Sequence, residues 1–280
     1  MKNRIRQALY GPVYFYYLYM KNPIIFLDVD GTLISFRTHQ VPESTVIALK
    51  EAHDNGAIIV IATGRPVTDL RKLSDIPYSA VIALNGSDIV LRDGKRIITH
   101  PIPPKEFAKS LKLAEDYNFI IGIENDRGVI VNRHGKILEE WAEFVAHPVP
   151  PVVNLQEEYA KGNCCQLCFF CDEKTERVVM AQLPSLSAAR WNPMFADINV
   201  KGIDKSTGLE EICQYYGCDI SNTIAIGDGG NDIPMLIKAG IGVAMGNASK
   251  EVKSAADIIT DSAEDNGICN ILRSLRIIEG

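Results

Sequence analysis

Two aspartates near the start of the chain, Asp28 and Asp30, have the clearest potential for chemistry. They follow an apolar run, Ile24–Leu27, whose composition predicts a buried β-strand, and Gly31 comes next to allow a turn. Residues i and i+2 of a strand point the same way, so the two carboxylates repel unless a cation or a proton lies between them. The pattern is typical either of a Mg²⁺ site with a nucleophilic and a proton-transferring carboxylate, or of a solvated acidic turn.

A second acidic group, Asp228 and Asp232, lies in a glycine-rich segment together with Asn231. The segment follows the apolar run Thr223–Ile226, which also predicts a buried strand. Glycine allows the tight bend that could bring such side chains to a metal ion. A glycine-rich surface loop is the alternative, but it does not explain why two acids and an amide cluster at a strand end.

Two further positions could bind a phosphate. Thr63 and Gly64 follow the apolar run Ala57–Ala62, and a hydroxyl group with backbone N–H groups at a helix start can bind a phosphate oxygen. Lys205 precedes an amphipathic segment, Thr207–Tyr216, where its ammonium could neutralise a phosphoryl group. Each position taken alone is weak evidence, since many turns resemble the first and most lysines are solvated.

The elements that would position these residues alternate between strands and helices. Short apolar runs that end in polar or small residues predict strands at 24–27, 57–62, 80–84, 223–226, 241–244 and 257–259. Amphipathic segments at 44–55 and 207–216 predict helices between them. This alternation indicates an α/β fold with a doubly wound, mostly parallel sheet, in which ligands bind outside the carboxyl ends of the strands.

The middle of the chain breaks this rhythm. Strands are predicted at 97–102, 120–124, 129–132 and 163–171, and helices at 104–117 and 173–182, without the spacing of βαβ units. We therefore expect an N-terminal extension at 1–22, a core at 23–86 plus 201–280, and an inserted α+β domain at 87–200. The basic, tyrosine-rich extension resembles a signal peptide but lacks a cleavage site; Met20 as the natural start is a further possibility.

The bulk composition excludes several classes of function. Among 280 residues the hydrophobic share is 46%, the charged share is 23% and the net charge is −6, which is ordinary for a globular protein and unsuited to nucleic-acid binding. No apolar run has the length of a membrane span. Seven cysteines, an odd number without an evident secretory signal, predict a reducing, cytoplasmic location. The composition does not indicate an oligomeric state.

Four cysteines, Cys164, Cys165, Cys168 and Cys171, include a spacing found in iron–sulfur and zinc sites. On one strand, however, Cys165 and Cys171 would point to one face and Cys164 and Cys168 to the other. We therefore interpret the four as small buried side chains of the inserted domain.

Taken together, the four groups resemble the ordered motifs of the haloacid dehalogenase (HAD) superfamily. The match runs from residue 23 to residue 259, and the segments 61–66, 84–86 and 227–236 are similar to the Cof-type branch, which has a class IIB cap. That resemblance implies a Rossmann-like core with a cap inserted between the second and third motifs. About 140 residues separate Thr63 from Lys205, whereas a βαβ unit needs only ~30, so a cap fits there.

The resemblance also implies a role for each residue. Asp28 would be the nucleophile that forms an aspartyl-phosphate, and Asp30 would protonate the leaving group and then activate water. Mg²⁺ would be held by Asp28, the backbone carbonyl of Asp30 and Asp228, with support from Asp232. The phosphoryl group would be held by Thr63, Gly64, Lys205 and Asn231.

The implied activity is that of a Mg²⁺-dependent phosphatase acting on a small phosphorylated metabolite, with a sugar phosphate as the first expectation. The alternatives are a phosphomutase or phosphotransferase, and a binding protein that has lost turnover. The intact acidic residues of the two aspartate pairs speak against the second alternative. Candidates for substrate specificity lie at the tip of a predicted hairpin in the cap, at Glu124, Asn125, Asp126 and Arg127.

Overall fold

The computed structural model describes residues 20–70, 73–125, 128–144, 148–162 and 164–279. Its strands are, in chain order, β1 (Ile24–Leu27), β2 (Ile58–Ala62), β3 (Tyr78–Ala83), β4 (Asp88–Leu91), β5 (Arg96–Thr99), β6 (Ile120–Asn125), β7 (Gly128–Val131), β8 (Gln166–Phe170), β9 (Leu186–Asn192), β10 (Phe195–Val200), β11 (Thr223–Gly227), β12 (Ile241–Ala244) and β13 (Ile258–Ile259). Its helices are α1 (Glu43–Asp54), α2 (Pro104–Asp116), α3 (Lys136–Phe144), α4 (Leu155–Ala160), α5 (Glu173–Met180), α6 (Lys205–Tyr216), α7 (Ile233–Lys238), α8 (Lys250–Ala255) and α9 (Gly267–Ser274).

The first sheet has the strand order β13-β12-β11-β1-β2-β3-β4-β5. Its strands from β13 to β3 run parallel, and β4 and β5 are antiparallel additions at one edge. Apolar side chains of α1 and α9, such as Leu49 and Leu272, pack on one face of this sheet, and those of α6, α7 and α8, such as Leu209 and Met235, pack on the other. The predicted doubly wound, mostly parallel α/β fold is therefore confirmed.

The second sheet has the strand order β7-β6-β8-β10-β9 and is antiparallel throughout. Phe107 of α2 and Val179 of α5 belong to the apolar cluster on one of its faces. Leu138 and Trp141 of α3 belong to the cluster on the other face. This mixed α+β unit is built from the residues between Pro104 and Val200, in agreement with the predicted insertion of a cap.

The predicted start of the insertion at Ser87 does not match the sheet topology. Strands β4 and β5 extend the first sheet, because Ile89 pairs with Ile82 of β3 and Ile98 pairs in turn with Ile89. The apolar run at 89–91 folds back on β3 instead of joining the cap. The chain therefore leaves the first sheet after Thr99, not at residue 87. The sequence patterns did not predict β4, β9, β10, α3, α4, α7, α8 or α9.

Residues 1–19 of the predicted N-terminal extension lie outside the described residues. The side chain of Met20 packs against the apolar cluster that contains α1 and α9. Within the described ranges, no helix has both the length and the apolar character needed to cross a lipid bilayer.

All four cysteines of the cap are free thiols and are buried, as predicted. Their directions differ from the prediction. Cys164 and Cys171 lie in the same apolar cluster, Cys168 faces the opposite cluster, and Cys165 packs against the first sheet. The reason is that only Gln166–Phe170 forms a regular strand, so the alternation of side chains does not extend to the residues around it.

Candidate functional site

The predicted site residues come together at the carboxyl edge of the first sheet. Strand β1 lies between β11 and β2, and all three run parallel. Asp28, Thr63 and Asp228 directly follow these three strands, so the sheet itself places them side by side. The backbone N–H group of Asp28 continues the pairing with β11 by donating to the carbonyl of Ile226 at 3.0 Å.

Lys205, the first residue of α6, is fully buried between two carboxylates. Its Nζ donates to Asp28 Oδ1 at 2.6 Å and to Asp232 Oδ1 at 2.5 Å. Burial alone would lower the pKa of the lysine, but the charges of Asp232 and Asp28 outweigh it and raise that pKa. Lys205 therefore remains positively charged inside the site. It is not a solvent-exposed lysine, which was the alternative for this position.

Three carboxylates of the site crowd one another. Oxygen atoms of Asp28, Asp228 and Asp232 all lie within 4.8 Å of each other. Burial and the charge of Asp232 raise the pKa of Asp28, and burial followed by the same charge raises the pKa of Asp228 to about 6. One lysine does not balance this charge, so a divalent cation with a preference for oxygen ligands fits the group.

Asp232 has a different set of contacts from the other two acids. Its Oδ2 accepts the backbone N–H groups of Asp228 at 3.0 Å and Gly229 at 2.8 Å, while Oδ1 accepts from Lys205. Three donors on a fully buried carboxylate fix the loop and the lysine. This arrangement suits support of a metal site better than direct coordination, and it leaves Asp28 and Asp228 as the carboxylates best placed to hold the ion.

Asp228 is oriented by two residues from other loops. Its Oδ1 accepts from Thr32 Oγ1 at 3.1 Å and its Oδ2 accepts from Asn247 Nδ2 at 3.0 Å. Asn247 also donates to the carbonyl of Gly31 at 2.9 Å, which links the loop after β12 to the loop after β1. A Cβ atom at Gly31, where φ is +83°, would lie 2.3 Å from Asp228 Oδ2, so only glycine fits there. Neither Thr32 nor Asn247 was identified as a site residue from the sequence.

Asp30 is held by Arg65, which the sequence patterns did not identify as a site residue. Arg65 donates to both carboxylate oxygens of Asp30, at 2.9 Å from Nε and 2.6 Å from Nη2. Its Nη1 donates to Asp69 Oδ2 at 2.9 Å. The signal was present in the sequence, because Arg65 directly follows Thr63 and Gly64 in the same turn.

The remaining predicted residues, Thr63, Gly64 and Asn231, lie around a turn at Leu84–Gly86. Thr63 Oγ1 accepts the backbone N–H group of Arg65 at 3.1 Å. Asn231 Nδ2 donates to Asn85 Oδ1 at 3.0 Å. A Cβ atom at Gly64 would lie 3.2 Å from that same oxygen of Asn85, so the turn packs closely on the loop after β2.

A second polar group comes from the cap. Glu124, Cys168 and Asp197 bring ligand-type atoms within 4.8 Å of one another on the face of the second sheet that contacts Asn85. Gln166 Nε2 donates to Glu124 Oε2 at 2.6 Å. Burial and the charge of Asp197 raise the pKa of Glu124 to about 8. Of the residues predicted at the hairpin tip, Glu124 thus lies beside Gln166 on the cap face that contacts Asn85. Asp126 and Arg127 lie outside the described residues.

The geometry combines a buried carboxylate, a buried ammonium and a group that suits a divalent cation, and a polar face of the cap contacts the neighbouring turn at Asn85. The carboxylate can attack an electrophile only if positive charge offsets the repulsion of an anionic substrate. The lysine and a bound cation would provide that charge, which is what phosphoryl transfer needs.

Comparisons with known proteins agree with this chemistry. A family model for haloacid dehalogenase-like hydrolases matches residues 25–272. The solved structure of BT1666 from Bacteroides thetaiotaomicron, studied among HAD phosphatases, is 50% identical with a TM-score of 0.90 and covers 92% of this chain and 97% of its own. The HAD subclass IIB sugar phosphatase BT4131 is 34% identical with a TM-score of 0.82 and covers 91% of this chain and 100% of its own. The Bacillus subtilis (strain 168) 5-amino-6-(5-phospho-D-ribitylamino)uracil phosphatase YcsE is 29% identical over 262 residues, 89% of this chain and 94% of that protein.

Proposed function

Because the chain belongs to the haloacid dehalogenase-like hydrolases and is a phosphatase of that family, we propose that it hydrolyses a small phosphorylated metabolite through an aspartyl-phosphate on Asp28. The observation that carries the proposal is the position of Asp28. Its carboxylate follows a central strand, is buried, and accepts a hydrogen bond from the Lys205 ammonium at 2.6 Å. A buried nucleophile beside a fixed cation suits attack on an anionic phosphoryl group.

The group of oxygen ligands fits Mg²⁺. We propose that Asp28, Asp228 and the backbone carbonyl of Asp30 hold the ion, while Asp232 holds the Asp228 loop and Lys205. When bound, Mg²⁺ would offset the negative charge of the carboxylates and of the substrate phosphate. Two unit charges 4 Å apart repel by about 4 kcal/mol at an effective dielectric of 20. A cost of that size in the barrier would slow the reaction roughly a thousandfold.

In the first step a carboxylate oxygen of Asp28 forms a bond to phosphorus as the bond to the leaving oxygen breaks, and Asp30 gives a proton to that oxygen. In the second step Asp30 takes a proton from water, whose oxygen attacks phosphorus, and the bond between phosphorus and Asp28 breaks to release inorganic phosphate. During both steps the phosphoryl oxygens are held by Lys205, Thr63, the N–H group of Gly64 and Asn231.

A sugar phosphate is the substrate class that we propose. The sugar phosphatase BT4131 is 34% identical to this chain, which supports the proposal. The cap face that contacts Asn85 also carries carboxyl and amide groups, at Glu124, Asp197 and Gln166, that can bond to hydroxyl groups. Since β4 and β5 join the first sheet, we propose that the cap consists of residues from about 100 to 200 and the core of those on either side.

The test is hydrolysis of a panel of sugar phosphates, nucleotides and other phosphoesters with Mg²⁺, in the wild-type protein and in Asp28→Asn. We expect release of inorganic phosphate by the wild type and a loss of at least about 10³-fold in the variant, because an amide cannot serve as the nucleophile. Thermal unfolding should show an intact fold, since the substitution removes a charge from a crowded acidic group.

Wild-type turnover in Asp28→Asn would contradict the nucleophile assignment. Isomerised sugar phosphate in place of inorganic phosphate would indicate a phosphomutase, and the absence of turnover on every ester would leave the binding-protein alternative.

A further inference from the structure

The turn Leu84–Gly86 has an unusual backbone at a central place in the molecule. Three consecutive residues, Leu84, Asn85 and Gly86, have positive φ angles of 49°, 55° and 102°. A leucine at positive φ is a real departure from the preferred conformations, and such strain persists only when surrounding contacts hold it. Here the N–H group of Leu84 donates to the carbonyl of Arg65 at 3.2 Å and that of Asn85 donates to the carbonyl of Thr63 at 3.0 Å.

The strained turn presents the side chain of Asn85 to two parts of the protein at once. The side chain is buried, with 5% of its surface exposed. Its Oδ1 accepts from Asn231 Nδ2 at 3.0 Å. Its Nδ2 donates to Gln166 Oε1 at 3.2 Å and to Asp197 Oδ2 at 3.4 Å in the second sheet. One amide thus connects the loop after β11 to two strands of the cap.

Few residues could take this position. The backbone at φ 55° favours asparagine, aspartate and glycine over other residues. The side chain must offer an acceptor on one side and donors on the other, which an amide does and a carboxylate does not. The neighbouring Gly64 leaves room for the amide, because a Cβ atom there would make a tight contact of 3.2 Å with Asn85 Oδ1.

We propose that Asn85 is a positioning residue that holds the Asn231 amide toward the transferring phosphoryl group, and that Gln166 and Asp197 of the cap hold Asn85 in turn. The inference rests on the proposed function, because it assumes that Asn231 contacts the phosphoryl group. Asn231 is exposed, and Asn85 restricts the orientation that its side chain adopts. Phosphate affinity and docking of the cap are therefore coupled through one side chain.

The test compares the wild type with Asn85→Gly, which suits the left-handed backbone and removes only the amide. We expect kcat/KM for p-nitrophenyl phosphate, a substrate with no sugar to contact the cap, to fall about 10- to 100-fold. Inhibition by inorganic phosphate should weaken about tenfold, as for a lost hydrogen bond to a charged group. The matched control is Asn118→Gly, also at a left-handed asparagine (φ 53°) but exposed and in the cap, which should change neither constant.

A double-mutant cycle separates positioning from a general structural role. If Asn85 acts through Asn231, then Asn85→Gly added to Asn231→Ala should cause little further loss, because the amide to be positioned is already absent. Losses that add in full would overturn the inference. Unchanged phosphate inhibition in Asn85→Gly would overturn it as well.

A second variant, Asn85→Asp, covers the case in which Asn85→Gly does not fold. Aspartate tolerates the backbone and keeps the acceptor for Asn231 while losing both donors to the cap. It should retain at least about tenfold more activity than a protein with Asn231→Ala. Equal loss in these two variants would overturn the inference alone, whereas a wild-type protein without phosphatase activity would overturn the proposed function together with it.

Discussion

At the scale of single residues, the site depends on charges that balance only in part. Lys205 is fully buried and pairs with Asp28 and Asp232, so removal of the lysine would leave two buried carboxylates without their cation. Breaking such a pair typically costs about 3–5 kcal/mol. Asp228, close to the same group, has its pKa raised to about 6 by burial and by Asp232. Charge balance, more than hydrogen bonding alone, explains why this part of the protein suits both a cation and a phosphate.

Arg65 provides a test of how the proposed proton-transferring residue is oriented. Its planar guanidinium group forms two parallel bonds to Asp30, which the single ammonium of a lysine cannot reproduce. We expect Arg65→Lys to lower kcat about tenfold or more. The melting temperature should change little, because the two side chains are 31% and 45% exposed and exposed ion pairs contribute about 0–1 kcal/mol.

The control for Arg65 is Asp69→Asn, which weakens only the second contact of the guanidinium group at 2.9 Å. It should lower kcat less than Arg65→Lys does. Full kcat in Arg65→Lys, measured by phosphate release in both variants, would contradict an orienting role for the arginine.

The raised pKa of Glu124 predicts that the stability of the fold depends on pH. Burial and the charge of Asp197 raise its pKa from 4.5 to about 8 in the folded protein, with Cys168 and Asp69 also close. The folded state therefore binds the proton more tightly than the unfolded state, so the contribution to stability is full below pH 4.5 and is lost as the pH rises to 8. Glu124→Gln should remove this loss, and its melting temperature relative to the wild type should rise by at least about 2 °C between pH 5 and pH 9.

Thermal unfolding across that pH range is the measurement, and Glu139→Gln on the exposed surface of α3 is the control. Parallel curves for the wild type and Glu124→Gln would show that the glutamate does not titrate in this way.

At the scale of elements, the turns after the strands carry the constraints. Gly86 has φ +102°, and a Cβ atom there would lie 2.1 Å from the carbonyl oxygen of Asp204, the residue that caps α6. The turn after β3 therefore packs directly against the helix start that positions Lys205. This backbone contact positions the turn after β3 against the helix that begins at Lys205, and it involves no side chain.

Gly86→Ala should lower the free energy of unfolding by about 2–5 kcal/mol, from about 1–2 kcal/mol for the left-handed backbone and about 1–3 kcal/mol for the clash. Gly94→Ala is the matched control, because Gly94 has φ +88° with no atom within 4 Å of the added Cβ, so only the backbone term applies. Urea unfolding measures both. Equal losses in the two variants would mean that the turn moves away from Asp204 at no cost.

At the scale of the whole molecule, the two sheets are joined by buried polar contacts as well as apolar ones. Asn199 of β10 donates from Nδ2 to Ser87 Oγ at 2.9 Å and lies 3.2 Å from the carbonyl oxygen of Leu84. Asn85 provides the second link. Since buried hydrogen bonds require one geometry, these contacts define how the cap sits on the core more narrowly than apolar packing would.

Mg²⁺ should stabilise the entire protein, because the ligands come together only in the folded state. At a hundred times its dissociation constant, an ion that binds only the folded state contributes about 2.7 kcal/mol. We therefore expect the melting temperature to rise with Mg²⁺ and to fall again with a chelator. Asp228→Asn should abolish the rise, and Asp54→Asn, an exposed residue of α1, should retain it. A Mg²⁺ response that persists in Asp228→Asn would contradict the assignment of this ligand.

Much of the core domain could be predicted because its strands and strand ends are recognisable from short stretches of sequence. Apolar runs gave the positions of β1 and β12 to the residue, and polar residues at the ends of such runs marked Asp28, Thr63 and Asp228. A parallel sheet then brings its strand ends to one edge whatever the details of packing. The order of the motifs along the chain was sufficient to predict the family and the fold.

The contacts that depend on tertiary structure were not visible in the sequence. Asn85 lies 146 positions from its partner Asn231, and Arg65 lies 35 positions from Asp30. The residues of β4 and β5 were assigned to the cap, and β4 was not predicted as a strand, because a short apolar run does not show which strand it pairs with. Sequence alone thus determined which residues carry charge at the strand ends. Only the folded chain decided which side chains orient them, because strand pairing and the docking of two sheets are set by long-range packing that no local pattern contains.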